Sequence, residues 1–134
     1  MTSPIAISVP GAPVVQVSAG WYQSYATAAD GTVYAWGQNA QYNLGDGTTT
    51  ERHSPVAVSG YQADPAAQLA TSLGYHMLVL QPDGTAVGWG YNTYGQVGDG
   101  GTSDVQTAQD STALGQGNVA IALGRYHTAV LKRP

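Results

Sequence analysis

Histidine is the side chain in this sequence best suited to acid–base chemistry or metal binding, and the chain has three. His76 and His127 occupy equivalent positions shortly after a glycine (Gly74 and Gly124), and Gln23 occupies the same position nearer the start. A catalytic or metal-binding histidine needs partner side chains that complete its site. A position that accepts either His or Gln favours a structural hydrogen bond near a loop.

The other groups that could carry chemistry are isolated. Asp46 and Asp99 each lie in a Gly-Asp-Gly triplet, whereas a calcium loop needs several closely spaced oxygen ligands, so both are expected to serve turns. The absence of Cys excludes disulfides, thiol chemistry and Cys-based zinc sites. No nucleophile elbow, phosphate loop or carboxylate pair occurs. The sequence therefore predicts no enzyme, no cofactor and no metal site.

Aromatic residues are the more suggestive group, with nine Tyr, three Trp and no Phe. Such amphipathic rings favour surfaces where one edge stays in contact with water. Several of them fall in predicted loops, together with one arginine. These candidate binding residues are Trp21, Tyr22, Tyr75, Tyr91, Tyr94, Arg125 and Tyr126. They could form a face that binds a protein or a sugar, or they could pack between structural units.

Charge and hydropathy exclude two classes of partner. The chain has four Lys or Arg against eight Asp or Glu, giving a formal net charge of −4, so no nucleic-acid binding is expected. No apolar run approaches the roughly 18 residues that span a membrane. The start of the sequence lacks the basic and apolar regions of a signal peptide, and the compartment stays open.

The elements that position these residues come from an internal repeat. The segment DGTVYAWGQN at 30–39 recurs as DGTAVGWGYN at 83–92. Asp-Gly before a β-prone run is a strong hairpin signal, and the Trp-Gly pair ends the strand with a large apolar anchor. The predicted structural positions of the repeat are Gly31, Trp36, Gly37, Gly84, Trp89, Gly90, His76 and His127. Both tryptophans are expected to pack inside the structure.

The spacing predicts an all-β chain with repeats at 14–58 and 67–107 and a partial repeat at 117–134. Predicted strands cover 14–19, 23–28, 32–36 and 55–58 in the first repeat, and 69–73, 77–80 and 85–89 in the second. Two more strands are predicted at 119–123 and 128–131, whereas 91–116 is predicted to be an irregular loop. Short strands in units of about fifty residues indicate the blades of a β-propeller.

The pattern resembles a known repeat. Gly-x-x-His, Asp-Gly-x-Val-x-x-Trp-Gly-x-Asn and Leu-Gly-Asp-Gly-Thr together are similar to the repeat of the regulator of chromosome condensation family. The resemblance implies a β-propeller, usually of seven blades, whose surface binds proteins. Tyr42 departs from the pattern, since Gly95 holds the usual glycine in the second repeat. Nucleotide exchange on a small GTPase is not implied, because it relies on a full propeller.

Two and a third blades cannot close a ring, because propellers need about four. Either the sequence is part of a longer protein, or several copies of the chain complete one propeller. The complementary parts of one unit at the two chain ends favour copies that assemble as a trimer of six blades or a tetramer of eight. The function expected from the sequence is a non-enzymatic protein-interaction scaffold that self-assembles in this way. The alternative is a carbohydrate-binding propeller whose loop Tyr and Trp residues stack on sugar rings.

Overall fold

A computed structural model describes residues 6–134, which form ten strands and one short 3₁₀ turn. The strands are β1 (Val14–Ala19), β2 (Gln23–Ala28), β3 (Thr32–Gly37), β4 (Arg52–Gln62), β5 (Gln68–Ala70), β6 (His76–Leu80), β7 (Ala86–Gly90), β8 (Val105–Asp110), β9 (Asn118–Leu123) and β10 (Thr128–Lys132). The 3₁₀ turn covers Thr112–Leu114, and no helix in 6–134 is long and apolar enough to cross a membrane.

The strands form three antiparallel sheets in chain order. β1–β4 make the first four-stranded sheet, β5–β8 make the second, and β9 pairs with β10. Each strand pairs with its neighbours in sequence, so successive hairpins alternate between the two ends of a sheet. The sheets are successive propeller blades, and the predicted all-β fold class is confirmed. The first sheet reaches Gln62 and the second Asp110, beyond the predicted repeat ends at 58 and 107.

The repeated Asp-Gly pairs form the predicted turns between the second and third strands of each blade. Asp30 accepts a hydrogen bond from the backbone N–H of Thr32 at 3.0 Å, and Asp83 accepts one from Thr85 at 2.9 Å. This local bond between a carboxylate and a backbone N–H two residues on is typical of Asp in turns. The turn chemistry is therefore the same in both blades.

The glycine of each Trp-Gly pair is required by a close backbone approach. Gly37 and Gly90 have φ angles of 109° and 102°, in the region that L side chains rarely adopt. A Cβ atom at either position would lie 2.3 Å from a carbonyl oxygen, that of Tyr22 or Tyr75 respectively. Any side chain there would push the third strand away from the loop that precedes the second strand.

Two fourth strands differ from the sequence-based expectation. β4 spans eleven residues rather than the four predicted, and β8 lies inside the segment 91–116 that was expected to be irregular. β8 carries mainly polar side chains and buries only Val105 fully, because it is the outer strand of its blade. Its position is set by backbone pairing with β7, which hydrophobic periodicity does not reveal.

The main core lies between the first two blades, and its largest fully buried side chain is Trp89. The Trp89 indole N–H donates to the carbonyl oxygen of Asn43 at 3.1 Å, and the rings of Tyr25 and Tyr61 each lie 6.3 Å from its own. A Cβ atom on Gly45 would lie 3.0 Å from the indole. A tryptophan of the second blade thus packs directly onto the first blade.

Trp36 has the same place in the first repeat but is only half-buried. Within residues 6–134 no blade precedes its own to cover it, and Val17 on β1, an edge strand of the same sheet, is 71% exposed. The two tryptophans therefore share a sequence position and differ in their packing. Burial by the adjacent blade, rather than by the tryptophan's own blade, explains the difference.

We expect Trp89→Ala to lower the free energy of unfolding by about 3–5 kcal/mol, because it empties a large buried site. Trp36→Ala is the matched control and should cost much less at protein concentrations where the chain is monomeric, since its ring is then partly in water. Urea denaturation followed by circular dichroism measures both. Equal losses for the two variants would contradict the assignment of Trp89 as the anchor between blades.

Candidate interaction face

The loops that carry the predicted aromatic residues lie at one end of the blades. β1–β2, β5–β6 and β9–β10 are equivalent connections, and β3–β4 and β7–β8 return to the same end because neighbouring strands are antiparallel. Six side chains from these loops form a continuous surface, which we call the aromatic face. Its members are Trp21, Tyr22, Tyr91, Tyr94, Arg125 and Tyr126.

One part of the aromatic face is a stacked pair in the first blade. The rings of Trp21 and Tyr22 have centroids 5.3 Å apart and planes inclined by 12°. Both side chains are exposed, although parallel stacking covers part of each ring. The pair forms a flat apolar surface on the loop before β2.

A second part is a group of three tyrosines from the second and third sheets. The centroids of Tyr91 and Tyr94 are 6.2 Å apart, and Tyr126 lies 6.3 Å from the first and 5.5 Å from the second. All three pairs meet edge to face, an arrangement that aromatic rings favour. Tyr94 is nevertheless 67% exposed, so the group presents apolar area to solvent.

Arg125 joins the two parts of the face. Its guanidinium carbon lies 5.0 Å from the ring centroid of Trp21 and 5.2 Å from that of Tyr126. Both distances are in the range of a cation–π interaction. Residues from three different repeats therefore form one connected surface.

The structure separates one predicted residue from this face and adds another. Tyr75 is half-buried and makes no ring–ring contact within 6–134, although its carbonyl oxygen accepts a hydrogen bond from the N–H of Tyr91 at 2.9 Å. Leu73, two residues earlier, is 65% exposed beside Arg125 in a shallow depression. Sequence reasoning missed Leu73, and its position before the repeat glycine was the available signal.

The equivalent residues Gln23 and His76 connect each blade to the next. Gln23 donates from its side-chain amide to the carbonyl oxygen of Gly74 at 2.9 Å, and His76 Nε2 lies 3.2 Å from the hydroxyl of Thr128. His127, the third member, is exposed. Desolvation by burial lowers the pKa of His76 to about 4, so its imidazole is neutral near neutral pH.

In the first and third repeats the glycine makes room for the polar side chain three residues later. A Cβ atom on Gly124 would lie 2.0 Å from the ring of His127, and one on Gly20 would lie 2.5 Å from the amide of Gln23. The side chain folds back over its own glycine in both cases. The glycine and the polar residue thus form one structural unit.

Two buried asparagines organise the Gly-Asp-Gly loops, and sequence reasoning had not assigned them a role. The Asn92 amide donates to an Asp99 carboxylate oxygen at 3.0 Å and to the carbonyl oxygens of Gly101 and Ser103 at 3.2 and 3.0 Å. Its oxygen accepts the N–H of Val97 at 2.9 Å. Asn39 makes the corresponding bonds in the first blade, where Asp46 also pairs with Arg52 at 2.9 Å.

Comparison with known proteins identifies the repeat. Two models of the regulator of chromosome condensation (RCC1) repeat match the chain, one at residues 30–79 and the other at residues 14–43. The chain belongs to the RCC1 repeat family. The resemblance inferred from the repeat pattern is therefore confirmed.

Several RCC1-repeat relatives are much longer proteins. The probable E3 ubiquitin-protein ligase HERC6 of Homo sapiens is 36% identical over 123 residues, which cover 88% of this chain and 12% of that protein. The probable E3 ubiquitin-protein ligase HERC3 of Homo sapiens is 36% identical over 90% of this chain and 12% of its own length. The chain thus spans about an eighth of these relatives, whose ligase names describe the whole proteins.

Solved structures show the same fold. Human WBSCR16 aligns with a TM-score of 0.71 and 28% identity over 89% of this chain and 30% of its own. Prp20p of Saccharomyces cerevisiae, studied with its binding to Gsp1p and histones, aligns with a TM-score of 0.69 and 16% identity. The alignment covers 96% of this chain and 33% of Prp20p. Yeast RCC1 (Prp20) bound to Kap60 gives 0.71 at 17% identity, covering 96% and 32%. The yeast matches carry the fold alone.

A metal centre or a catalytic pair would depend on how the polar side chains of the RCC1-repeat blades are grouped. Among residues 6–134, no group of three His, Asp or Glu side chains is arranged to hold a metal ion. The buried His76 lies beside the hydroxyl of Thr128, but its Nδ1 has no hydrogen-bond partner in this region, so the third group that would orient a catalytic base is not seen there. The aromatic face is the arrangement that could recognise a ligand.

His76 should make stability depend on pH. The unfolded chain takes up its proton near pH 6.5, whereas the native state takes it up only near pH 4, so acidification favours unfolding between these values. We expect a loss of up to about 3 kcal/mol across this window. His76→Gln, which copies Gln23, should flatten the dependence, and His127→Gln is the exposed control. Urea titrations at several pH values measure the free energy of unfolding. If it depended on pH as steeply in His76→Gln as in the parent, the assignment to His76 would be contradicted.

Asn92→Asp should lower the free energy of unfolding by about 3 kcal/mol or more, since it replaces a donor by a carboxylate among three oxygen acceptors. Asn39→Asp is the matched variant and should cost less, because Arg52 lies beside Asp46. Urea denaturation at neutral pH compares the two. Parent-like stability of Asn92→Asp would show that the buried amide does not organise the loop.

Proposed function

We propose that this chain is a non-enzymatic protein-interaction module of the RCC1-repeat type, and that it binds its partner through the aromatic face. The observation that carries the proposal is the connected, exposed cluster of Trp21, Tyr22, Tyr91, Tyr94, Arg125 and Tyr126, drawn from three repeats. Trp, Tyr and Arg are the residues that most often dominate the binding energy of protein interfaces.

The exposure of the cluster supports this function. Tyr94 and Leu73 are more than half exposed, although burying such apolar side chains would stabilise the protein. Large apolar side chains grouped on one surface mark an interaction site more often than scattered ones do. The fold also occurs in a yeast protein crystallised with Kap60.

The ring contacts favour a protein over a sugar. A sugar ring stacks on the open face of an aromatic side chain, whereas Trp21 is already in contact with Tyr22 and with the guanidinium of Arg125. Tyr126 is likewise in contact with Arg125 and with two other tyrosines. The carbohydrate alternative is therefore kept as an outcome of the binding experiment.

A double variant, Tyr22→Ala with Tyr94→Ala, should lose binding to a protein partner by at least tenfold, because hot-spot truncations cost 2 kcal/mol or more each. Proteins cross-linked to the chain by a photoreactive group on this face would be identified by mass spectrometry and their affinities measured by interferometry. Gln116→Ala, in the loop between β8 and β9 at the opposite end, is the control.

A glycan array probed with the same proteins separates the two classes of ligand. We expect the parent and the double variant to give the same result on every glycan. Glycan binding that disappears in the double variant would replace the proposed function by the carbohydrate one. Protein binding that is equal in the parent and the double variant would remove the aromatic face as the site.

We further propose that copies of the chain associate through their outer blade faces, forming a trimer of six blades or a tetramer of eight. The support is exposed apolar area on these faces, with Val17 71% exposed on β1 and Leu131 62% exposed on β10. Covering such area contributes about 25 cal/mol per Å². Joining the faces of neighbouring copies would cover it on both.

Val17→Lys should shift the associated form towards the monomer, because it would bury a charge between the joined apolar blade faces. Gln116→Lys adds the same charge away from these faces and should leave the assembly unchanged. Light scattering after gel filtration measures both masses. A folded, monodisperse parent of 13.8 kDa would contradict the proposed association.

A further inference from the structure

The unused hydrogen-bonding capacity of Arg125 points to the chemistry of the partner. Within residues 6–134 its guanidinium donates no hydrogen bond and has no carboxylate at ion-pair distance, since the ion pair found in this region joins Arg52 to Asp46. Its contacts are with the faces of Trp21 and Tyr126. A guanidinium has five N–H donors, and those of Arg125 are left for solvent or a ligand.

The aromatic contacts also fix where these donors lie. Stacking against two rings restricts the long side chain before any ligand arrives, so less conformational entropy is lost when it binds. A guanidinium matches a carboxylate with two parallel hydrogen bonds, a geometry that an ammonium group cannot provide. Arg125 is therefore preorganised to receive a carboxylate from outside the chain.

Next to Arg125 lies a depression of about 450 Å³ that three repeats form together. The first repeat contributes Trp21, the second contributes Leu73, and the third contributes Leu123. These apolar side chains line it together with Ser72, Gly124 and Arg125, and Leu73 is 65% exposed. The depression can therefore take up an apolar side chain directly beside the carboxylate-binding group.

We propose that the aromatic face selects a protein segment in which an Asp or Glu lies beside a large aliphatic or aromatic residue. The carboxylate pairs with Arg125, and the apolar side chain enters the depression between Trp21, Leu73 and Leu123. A basic segment is disfavoured, because its ammonium or guanidinium would face Arg125. This inference rests on the proposed protein-binding function and adds the chemistry of the partner.

A library of random dodecapeptides displayed on phage tests the preference without a known partner. It is selected in parallel on the folded parent chain and on Arg125→Gln, whose exposed position makes unfolding unexpected and is checked by circular dichroism. The parent should enrich peptides with Asp or Glu beside Leu, Ile, Phe or Trp. Arg125→Gln should lose the acidic preference. Enrichment by the parent of basic sequences, of neutral sequences only or of none would overturn the inference.

The most enriched peptide is then synthesised with its acidic residue and with the corresponding amide, Asp to Asn or Glu to Gln. The amide should bind the parent about tenfold or more weakly, as expected for a hydrogen bond between charged groups, whereas Arg125→Gln should bind both peptides equally. Arg125→Lys should give an intermediate ratio, because it keeps the charge and loses the paired geometry. If the ratio of the affinities for the acidic and the amide peptide were the same in the parent and in Arg125→Gln, the role of Arg125 would be overturned.

The outcomes distinguish this inference from the function on which it rests. If Tyr22→Ala with Tyr94→Ala abolishes binding of the cross-linked protein partner while Arg125→Gln leaves it unchanged, the aromatic face binds a protein but does not select a carboxylate. If neither variant changes binding, the proposed function itself fails. Leu73→Asp is a third test variant. A negative charge in the depression should weaken the binding of peptides with an acidic residue by tenfold or more.

Discussion

The structure depends on the packing of one blade against the next. A four-stranded sheet has two faces, and a blade of this size cannot bury both with its own residues. Trp89 shows the consequence, because its indole is enclosed by the first blade, beside Gly45 and under the carbonyl oxygen of Asn43. Its counterpart Trp36 has no such neighbour among the described residues and is half-buried. Stability in this fold is therefore a property of blade pairs, as in other repeat architectures.

The repeated polar residues serve the same packing. Gln23 and His76 each cross to the following blade, and Gly20 leaves room for the side chain of Gln23 to turn back. Asn39 and Asn92 each fix the Gly-Asp-Gly loop of their own blade, through hydrogen bonds made within that blade. These polar residues, which the sequence alone offers as possible catalytic groups, thus make structural hydrogen bonds at equivalent positions of the repeats. This leaves the loop surface free to vary, which is where a repeat scaffold carries binding.

Much of the fold could be predicted because its signals are local. Asp30-Gly31 specifies a hairpin through a bond that spans two residues, and the β-prone run up to Trp36 defines a strand by alternation. The outer strand β8 gave no such signal, since its polar sequence buries only Val105 fully and its place depends on pairing with β7. A strand held mainly by its partner's backbone cannot be recognised from its own side chains.

The sequence by itself determined the blades, the hairpins and the set of aromatic loop residues, because each follows from residues close together in the chain. Only the tertiary structure decided which of those residues meet. It placed Arg125 between Trp21 and Tyr126, left Tyr75 out of the ring contacts, and set the unpredicted Leu73 beside the guanidinium. The physical reason is that this surface joins loops from three repeats, and the distance between such loops depends on how the blades pack.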